Sequence, residues 1–371
     1  MRLLHVHSGN LYGGVETLLV TLQRFAAAGS LEHEFAFCFD RRLASELRRL
    51  GGQLHDLGVV RARYPLTVMR ARRVLRDLLR ARRFDAVIAH LPWAQAIFGP
   101  VARAARIPLI FWMHDAASGR HWIERWARLT QPDLVLCNSG YTASTLPRLY
   151  RRARHEVLFY PIVVSSPRLE SAERSELRDE LATPGDAVVI AQASRFEAWK
   201  GHFDHLEALG HLVDVSGWVC WIVGGTQRPA EVRYVERFKH RAIELGLRDR
   251  IRFCGERSDV PQVLRAADIY CQPNSGAEPF GIVFAEALAA GIPIVTTALG
   301  GTAELVNESC GLIAPPHDPT RLAECLRRLI GDGAMRDRLG AAGSKRVAEL
   351  CDPLQQIRRL GAIVEKLASR E

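Results

Sequence analysis

The chain has 371 residues, 48% of them hydrophobic and 25% charged. These are the proportions of a soluble globular protein, so wholesale disorder, collagen-like repeats and low-complexity structure are excluded. At roughly 100–200 residues per domain, the length predicts two or three domains. The net charge of +9 is uneven, because residues 1–165 carry +12 and the rest carry −3. A basic front half could face nucleic acid, an anionic membrane or a phosphorylated small molecule, and charge alone does not choose between them.

The cysteines and the chain start indicate the compartment. Eight cysteines are scattered without a C-x-x-C pair, and several lie inside apolar runs such as WVCWIV. There a reduced cysteine acts as a small hydrophobe, so we expect no zinc or disulfide framework and a reducing compartment. The start, MRLLHVHSGN, is too polar for a signal peptide, and no apolar run approaches roughly 18 residues. We expect a cytoplasmic chain, with contact at the inner face of the plasma membrane left open.

Short apolar runs alternate with helical patterns in the first half. The predicted helices lie at 15–28, 68–83 and 94–105. The predicted strands are Leu3–His7, Glu34–Phe39, Ala86–Ala89, Leu109–Met113 and Leu134–Cys137. Such alternation is typical of βαβ units, in which helices cover both faces of a buried parallel sheet.

The second half repeats this alternation. Its predicted strands are Ala187–Ala193, Val219–Val223, Arg250–Cys254, Asp268–Cys271 and Pro293–Thr296. Between the halves, 160–185 is rich in proline, serine and charge, which predicts a linker. Near the end, Pro353 should break the helical path, so a last helix over 354–368 could turn back towards the first domain. We therefore predict an α/β chain with Rossmann-like domains at 1–165 and 166–353 and a terminal helix within 354–371.

The strongest local signal is the segment AEPFGIVFAEALAAGIPIVTT. Glu278 lies in a loop after a predicted strand, Pro-Phe-Gly opens a helix, and Glu286 follows with seven residues between the two glutamates. In a parallel sheet such a loop lies at the carboxyl edge, where the N–H groups of a new helix can bind diphosphate. Glu278 could then accept hydrogen bonds from a sugar and Glu286 from a ribose. The alternative is a capped helix with solvated glutamates.

A second constellation runs from Arg195 to Lys200 in SRFEAWKGH. An arginine fork and a lysine point charge on one strand-end loop suit the two phosphates of a leaving group. Only 4 of the 50 basic residues are lysines, which makes a generic surface role for Lys200 less expected. The alternative is an exposed basic loop.

The turn after the first strand reads HSGNLYGGVE. Gly13 and Gly14 precede a helix, so the backbone there can approach a ligand. The turn does not match G-x-G-x-x-G, and the chain has no P-loop. His90 and His114 each stand at a strand end, where a structural role competes with a functional one.

The chain contains, in this order, the segments GGVE, SRFEAWKGH and EPFGIVFAEALAAGIPIVTTALGG. These three segments resemble the retaining glycosyltransferases of family 4, which have the GT-B fold. The resemblance spans nearly the whole chain. It implies two Rossmann-like domains facing a cleft, a nucleotide-sugar (UDP- or GDP-linked) on the second domain and the acceptor on the first. It implies no cofactor and no metal, and no D-x-D element stands in a metal-binding position. Two departures from the family pattern, YPIVV in the linker and Gly224-Gly225-Thr226, concern the hinge more than activity.

The resemblance also implies residue roles. Arg195 and Lys200 would hold the diphosphate, Glu278 the transferred sugar and Glu286 the ribose. Gly14 would close on the phosphates and His114 would lie beside the sugar ring. Gly13, Glu16 and His90 would lie on the acceptor side. The remaining donor contacts would come from Phe280, Gly281, Ile282 and, near the base, Arg257.

The expected reaction is retaining, metal-independent sugar transfer to a hydroxyl of a glycan, lipid-linked or small-molecule acceptor, as in bacterial polysaccharide or glycoconjugate biosynthesis. Two alternatives stay open: a nucleotide-sugar 2-epimerase of the same fold, and a scaffold that binds nucleotide-sugars or partner proteins without turnover. The sequence indicates neither the sugar nor the oligomeric state.

Much of the basic charge lies in Arg61–Arg83, which holds nine arginines and one acid, Asp77. Val68, Val74, Leu75, Leu78 and Leu79 recur there at near-helical spacing. A basic amphipathic helix can lie on an anionic membrane, but the same stripe could pack on the domain's own sheet. Since the resemblance gives the charge an acceptor-side role, we expect no nucleic-acid partner.

Overall fold

The computed structural model describes residues 1–10, 12–28, 31–163, 169–226 and 228–369. Thirteen strands lie in these ranges: β1 Arg2–His7, β2 Glu32–Phe37, β3 Gln53–Asp56, β4 Ala86–His90, β5 Leu109–Met113, β6 Leu134–Cys137, β7 His155–Val157, β8 Val188–Ala193, β9 Trp218–Val223, β10 Ile251–Gly255, β11 Ile269–Gln272, β12 Ile294–Thr296 and β13 Gly311–Ile313. The described α-helices are α1 Gly14–Arg24, α2 Arg42–Arg49, α3 Pro65–Ala81, α4 Leu91–Ala104, α5 Trp122–Ala127, α6 Gly140–Thr145, α7 Ser171–Glu180, α8 His202–Gly210, α9 Pro229–Glu244, α10 Val260–Ala266, α11 Ile282–Ala289, α12 Thr302–Leu305, α13 Pro319–Gly331, α14 Gly333–Cys351 and α15 Pro353–Ala368.

The chain divides into two compact units. The first unit comprises residues 1–161 and 351–371, and the second unit comprises 162–350. The predicted boundary at 165/166 falls on 164–168, outside the described residues, and the predicted boundary at 353/354 lies three residues beyond the division in the structure.

The first unit is built on a seven-stranded parallel sheet. Its strand order is β3-β2-β1-β4-β5-β6-β7, so the order reverses beside β1. One face of β1 carries Leu4 and Val6, which pack in a core with Val68, Leu75 and other apolar residues of α3 and α4. The opposite face carries a row of rings that includes His5 and Phe35. Because side chains alternate along a strand, this unit has an aliphatic face and an aromatic face.

The second unit contains a six-stranded sheet of order β10-β9-β8-β11-β12-β13, again all parallel. Trp221, Ile190 and Cys271 on its central strands are fully buried. Helices cover both faces, as the near-continuous apolar strands require. The chain is thus of the α/β class, as predicted from the alternation of strands and helices.

The ten predicted strands are confirmed, with small differences at their ends. The strands that the sequence did not predict, β3, β7 and β13, are three or four residues long and largely exposed or half-buried. Edge strands of this kind lack the apolar run that marks a buried strand, because they are not covered on both faces.

The predicted linker at 160–185 is wrong for much of its length. Residues 171–180 form α7, which belongs to the second unit. Arg178 is buried and donates to the carbonyls of Ala187 and Ala266 and to the carboxylate of Asp268, at 2.7 Å in the last case. Arg174 binds the second oxygen of Asp268. The charges that resembled a solvated linker in the sequence therefore fix a helix to the sheet.

The chain end returns to the first unit. The helix α14 ends at Cys351, and Asp352 accepts a hydrogen bond from the backbone of Gln355 as the N-cap of α15. Arg359 in α15 donates to the carbonyl of Val157 at the end of β7. The break at Pro353 follows from its lack of an N–H group, which is tolerated at the first turn of a helix.

The basic helix α3 turns its apolar stripe inward. Val68, Ala71, Leu75 and Leu79 are buried in the core of the first unit. Of the residues predicted on the stripe, Val74 lies outside the core and is 38% exposed. Of the two alternatives for this stripe, packing on the domain's own sheet is therefore correct. Any membrane contact has to use other residues.

Candidate functional site

Two loops of the second unit meet where its strand order reverses. The strand β8 has β9 on one side and β11 on the other. The loops that follow β8 and β11 therefore leave the carboxyl edge of the sheet side by side, at the position where α/β proteins bind ligands. Arg195 and Lys200 lie on the first loop and Glu278 on the second.

Lys200 and Glu278 form an ion pair across these loops. The ammonium nitrogen Nζ of Lys200 lies 2.6 Å from Oε2 of Glu278, and the side chains are only 14% and 11% exposed. Nζ also lies 3.9 Å from the ring centroid of Trp199. Oε2 accepts a second hydrogen bond from Nδ2 of Asn274, whereas Oε1 accepts none from the described residues. One carboxylate oxygen is thus fixed, and the other can accept hydrogen bonds from a ligand.

A buried polar network supports this pair. Nε2 of Gln272 donates to Asn274 at 2.8 Å, and the hydroxyl of Tyr270 donates to Gln272 at 2.6 Å. Burial and the nearby Glu278 carboxylate raise the pKa of the Tyr270 phenol well above its usual range, so the hydroxyl keeps its proton. Because each member has a partner, the network holds the Glu278 carboxylate in one orientation.

The N-terminus of α11 faces this carboxylate. Gly281 is the N-cap with φ 92°, and a Cβ there would lie 2.8 Å from the Phe284 ring and 3.2 Å from Cγ of Glu278. Phe280 is buried, and Ile282 begins the helix. No described side chain caps the first turn, so its N–H groups are available to an anion.

The hydroxyl of Thr302 lies beside the same helix start. A Cβ on Gly281 would lie 3.4 Å from Oγ1 of Thr302. Thr302 is fully buried, and Oγ1 has no hydrogen-bond partner among the described residues. An unpaired buried hydroxyl costs free energy, so a ligand group that binds it would gain affinity.

Glu286 lies one turn into α11. Burial raises the pKa of its carboxyl from 4.5 to about 7. The group is therefore partly protonated near neutral pH and can both donate to and accept from a ribose hydroxyl.

The two predicted arginines differ in how they are held. Arg195 is 41% exposed and has one ion pair, to Glu197 at 3.1 Å, so its guanidinium can reorient towards a ligand. Arg257 is 14% exposed and is bound by Asp259 and Glu180. A role for Arg257 at the base stays a prediction, and it would have to compete with both carboxylates.

The glycine turn of the first unit follows β1. Gly13 is the N-cap of α1 and Gly14 is its first residue; both are exposed, and no described side chain caps this helix. Glu16 is buried, and its Oε1 lies 3.4 Å from Nε2 of His7. The backbone N–H of Gly9 donates to Nδ1 of His7, which leaves the ring proton on Nε2, facing Glu16.

His90 and His114 lie at neighbouring strand ends of the first unit, and both are buried. Nδ1 of His90 lies 2.8 Å from Nε2 of His114. Nδ1 of His114 bonds the hydroxyl of Tyr160, and Nε2 of His90 bonds His5. Both ring nitrogens of each histidine are therefore engaged within the protein, so a ligand would have to replace one of these bonds.

Four residues that were not predicted from the sequence contact or lie beside the predicted ones. Asn274 and Gln272 orient Glu278, Thr302 faces the start of α11, and His7 faces Glu16. Gln272 and Asn274 could have been predicted, because they are alternating polar residues in CQPN at the end of an apolar strand. Thr302 gave none, because its burial follows from the packing of α12.

The described ranges contain neither a cluster of metal ligands nor a membrane-spanning helix. No cluster of three His, Cys, Asp or Glu side chains in these ranges is arranged to hold a metal ion. No helix there is both long and apolar enough to cross a bilayer.

Family models match both units. The model described as Glycosyltransferase Family 4 matches residues 12–162, and the one described as Glycosyl transferases group 1 matches residues 173–346. The second match includes Arg195, Lys200, Glu278 and Glu286.

Curated relatives extend this likeness. A D-inositol 3-phosphate glycosyltransferase of Nocardioides sp. is 30% identical over 310 residues, which cover 74% of this chain and 67% of that protein. The protein of the same name from Xylanimonas cellulosilytica is 36% identical over 222 residues, 57% of this chain and 52% of that protein. The chain thus spans between about half and two thirds of the length of these relatives.

A solved structure gives the fold. The crystal structure of Anabaena Alr3699/HepE in complex with UDP and glucose superposes with a TM-score of 0.86 at 21% identity, covering 98% of this chain and 99% of that one. This likeness places the chain in the GT-B fold class. With the two family models and the Nocardioides relative, it shows that the chain belongs to the family 4 glycosyltransferases.

Proposed function

We propose that this chain transfers a sugar from a nucleotide-diphosphate donor to a hydroxyl of an acceptor, with retention of the anomeric configuration and without a metal ion. The observation that carries the proposal is the Lys200–Glu278 pair beside the uncapped start of α11. It combines a cation, a carboxylate oxygen free of described partners and backbone N–H groups at one sheet edge. These three kinds of contact can bind a diphosphate and the sugar attached to it.

The leaving diphosphate is stabilised by positive charge. Lys200 contributes a point charge, Arg195 a guanidinium that is 41% exposed, and the N-terminus of α11 its N–H groups. These groups are arranged before the reaction, so they stabilise the charge that develops as the sugar–phosphate bond breaks. In this proposal they take the part that a divalent ion plays in other transferases.

The sugar is held by Glu278. Its free Oε1 accepts hydrogen bonds from sugar hydroxyls while Lys200 and Asn274 fix Oε2. Glu286 binds the ribose, and the backbone at Phe280–Ile282 contacts sugar and phosphate. In this arrangement the acceptor oxygen attacks the anomeric carbon on the face that the diphosphate leaves. The bond from the anomeric carbon to the phosphate oxygen breaks, and that oxygen takes the acceptor proton.

The acceptor belongs to the first unit in this proposal, at the turn of Gly13 and Glu16 with His90, and His114 lies beside the sugar ring. A glycan, a lipid-linked sugar or a small molecule would fit the reaction. The relatives named D-inositol 3-phosphate glycosyltransferase make inositol phosphates the first small acceptors to offer. Bacterial glycoconjugate or polysaccharide biosynthesis is the corresponding setting.

A thermal-shift panel tests donor binding. UDP-, GDP- and ADP-sugars are added separately, and a ligand that binds only the native state raises the unfolding midpoint. One of the three bases should raise the midpoint of the wild-type chain and not that of the Lys200→Met variant. Equal shifts in both proteins would contradict the assignment of the diphosphate to Lys200.

Product analysis distinguishes the alternatives. Mass and NMR spectra are recorded with and without inositol phosphate or alkyl glycoside acceptors. Sugar transfer supports the proposal. An epimerised donor formed without any acceptor would indicate the 2-epimerase, and tight nucleotide binding without turnover would indicate a scaffold.

We also propose a peripheral membrane contact at the cytoplasmic face. A recess of about 520 Å³ in the first unit is lined by Arg61, Ala62, Arg63 and Trp122. Trp122 is 55% exposed, and Leu66 at the start of α3 is 76% exposed. Arginine beside exposed aromatic and aliphatic side chains suits an anionic lipid surface.

Vesicle co-sedimentation tests this contact. We expect binding to vesicles that contain phosphatidylglycerol, weak binding to pure phosphatidylcholine, and a large loss of binding in the double variant Arg61→Ala/Arg63→Ala. The control Arg151→Ala/Arg152→Ala removes the same charge from exposed positions of the same unit. If both double variants bind equally well, the recess is not the contact.

A further inference from the structure

Four histidines cross the sheet of the first unit on its aromatic face. His33 in β2 lies beside Leu3 of β1, two residues before His5. On the other side of β1, His5 pairs with Ile88 of β4, and His90 lies two residues beyond Ile88. His90 in turn pairs with Trp112, and His114 lies two residues further. Because side chains alternate in strands, steps of two keep all four rings on one face, along a diagonal to the carboxyl edge.

The rings form a continuous hydrogen-bonded chain. Nδ1 of His33 lies 2.9 Å from Nε2 of His5, and Nδ1 of His5 lies 2.9 Å from Nε2 of His90. Nδ1 of His90 lies 2.8 Å from Nε2 of His114, whose Nδ1 bonds the hydroxyl of Tyr160. Every link joins the Nδ1 of one ring to the Nε2 of the next, so the chain has a direction.

All four imidazoles are neutral at physiological pH. Burial lowers the pKa of His33 to about 4 and those of His5, His90 and His114 well below 6.5. A neutral imidazole has one N–H donor and one acceptor nitrogen. Each N–N link needs one proton, since two would clash and none would leave two lone pairs in contact.

These conditions couple the tautomers. If His33 carries its proton on Nδ1, it donates to His5, which must then carry its own proton on Nδ1, and the same holds for His90 and His114. If His33 carries its proton on Nε2, the other three do so as well. Two states therefore satisfy every link, and in each state all four rings hold the proton on the same nitrogen.

The two ends of the chain favour different states. Nδ2 of Asn138 donates to the Tyr160 oxygen at 3.3 Å, which favours donation of the phenol's own proton to Nδ1 of His114 and hence the Nε2–H state. At the other end, Nε2 of His33 is buried without a partner among the described residues. In the Nε2–H state this nitrogen would be a buried donor without an acceptor, and in the Nδ1–H state it would be a buried acceptor without a donor. Because the unpaired donor is the rarer of the two in proteins, this end favours the Nδ1–H state.

We propose that His33, His5 and His90 are positioning residues that determine, together with Tyr160, which ring nitrogen of His114 carries its proton. The tautomer decides whether Nδ1 of His114 donates or accepts at the strand end where the proposed function places a sugar. The functional part of this inference rests on the proposed function, whereas the coupling of the four rings does not.

The experiment measures the tautomers directly. The full chain is labelled with 15N in its histidine rings, and two-bond proton–nitrogen correlations give the fraction of the Nε2–H form for each ring near pH 7.5. Single His→Phe variants assign the signals among the 13 histidines. We expect one common fraction for His33, His5, His90 and His114. Different fractions, or a charged ring among the four, would overturn the proposal.

A variant at the end of the chain tests transmission. Tyr160→Phe removes the hydroxyl that bonds His114, and three rings lie between Tyr160 and His33 along the chain. We expect the common fraction to change by the same amount in all four rings. The control Tyr64→Phe removes an exposed hydroxyl of the same unit and should leave all four unchanged. A change confined to His114, or no change in any ring, would refute the coupling.

Transfer assays keep the two proposals apart. Unequal tautomers in a protein with normal sugar transfer would overturn only the coupling. Equal tautomers in a protein that transfers no sugar would count against the proposed function and leave the coupling intact.

Discussion

At the scale of single residues, the Lys200–Glu278 pair has opposing effects on stability and function. Burying both charges costs solvation free energy that their attraction only partly offsets. A pair of apolar residues would hold these loops together at lower cost. The presence of these two charges at the sheet edge is therefore better explained by a charged ligand than by folding stability.

The first prediction separates these two effects. Lys200→Met leaves the Glu278 carboxylate without its cation, so we expect a loss of about 3 kcal/mol in the free energy of unfolding and at least about 100-fold in kcat. The double variant Lys200→Met/Glu278→Gln should recover most of the stability and none of the transfer. Denaturant melts and initial rates measure the two quantities.

Lys239→Met is the matched control, because Lys239 lies in the same unit and is 45% exposed. It should change neither quantity measurably. Recovery of transfer in the double variant would show that Lys200 and Glu278 contribute only to stability.

The second prediction concerns Glu286. Its carboxyl has a pKa of about 7 in the folded chain and 4.5 as the ordinary value, so the folded state holds the proton more tightly. Stability from this group is present below pH 4.5 and is lost as pH rises through about 7. Between pH 5 and pH 8, wild type should lose roughly 2 kcal/mol relative to Glu286→Gln.

Urea melts at the two pH values measure this difference, and Glu308→Gln, at an exposed position of the same unit, is the control. A pH dependence that is the same in wild type and Glu286→Gln would show that Glu286 does not titrate in this way.

At the scale of elements, the loop after β8 depends on close backbone approach. Gly201 ends the turn that carries Lys200 and has φ 72°. Because Gly201 has no side chain, the carbonyl of Pro273 in the neighbouring loop can lie close to its Cα. A Cβ on Gly201 would lie 1.8 Å from that oxygen. The glycine thus allows the loops after β8 and β11 to meet, which brings Lys200 to Glu278.

The third prediction uses a second glycine as its control. Gly246 has φ 71°, and a Cβ there would have no atom within 4 Å. Gly246→Ala should cost about 1 kcal/mol from the left-handed backbone alone. Gly201→Ala should cost several times more, because the two loops have to separate, and should lower donor affinity. Denaturant melts and donor titrations measure both effects, and similar costs for the two variants would contradict the account.

The elements also show what could be predicted from the sequence. Buried strands such as β5 and β9 were predictable, because burial on both faces produces an apolar run. Lys200 and Glu278 were predicted to lie on loops at one edge of a sheet, and their side chains are in contact there. Their roles in binding stay a prediction. The carboxylates that hold Arg257 and the histidine chain were not predicted, because both depend on contacts between distant parts of the chain. The clamp of Arg178 on Asp268 was missed for the same reason.

At the scale of the whole molecule, histidine burial differs between the units. Burial lowers the pKa of five histidines in the first unit: His5, His7, His33, His90 and His114. In the second unit it lowers the pKa of His202 and His205 to about 3. Each stays neutral in the folded chain while its unfolded counterpart binds a proton below about pH 6.5.

The fourth prediction is that acid destabilises the first unit more than the second. Stability is lost as pH falls below 6.5, by about 2 kcal/mol per buried histidine at pH 5. Hydrogen exchange at pH 7.5 and pH 5, corrected for intrinsic rates, should show a larger loss of protection in β1, β2 and β4 than in β8 and β9. Greater loss in the second unit would contradict the burial of the five histidines.

We propose that the Lys200–Glu278 site transfers a sugar with retention and without a metal. The most direct measurement is the anomeric configuration of the product, read by NMR from reactions in which nucleotide-sugars and acceptors are combined in the presence of EDTA. We predict a product with the donor's configuration, one nucleoside diphosphate released per sugar transferred, and an unchanged yield with EDTA. A product of inverted configuration, or a reaction that EDTA abolishes and Mg²⁺ restores, would contradict the account.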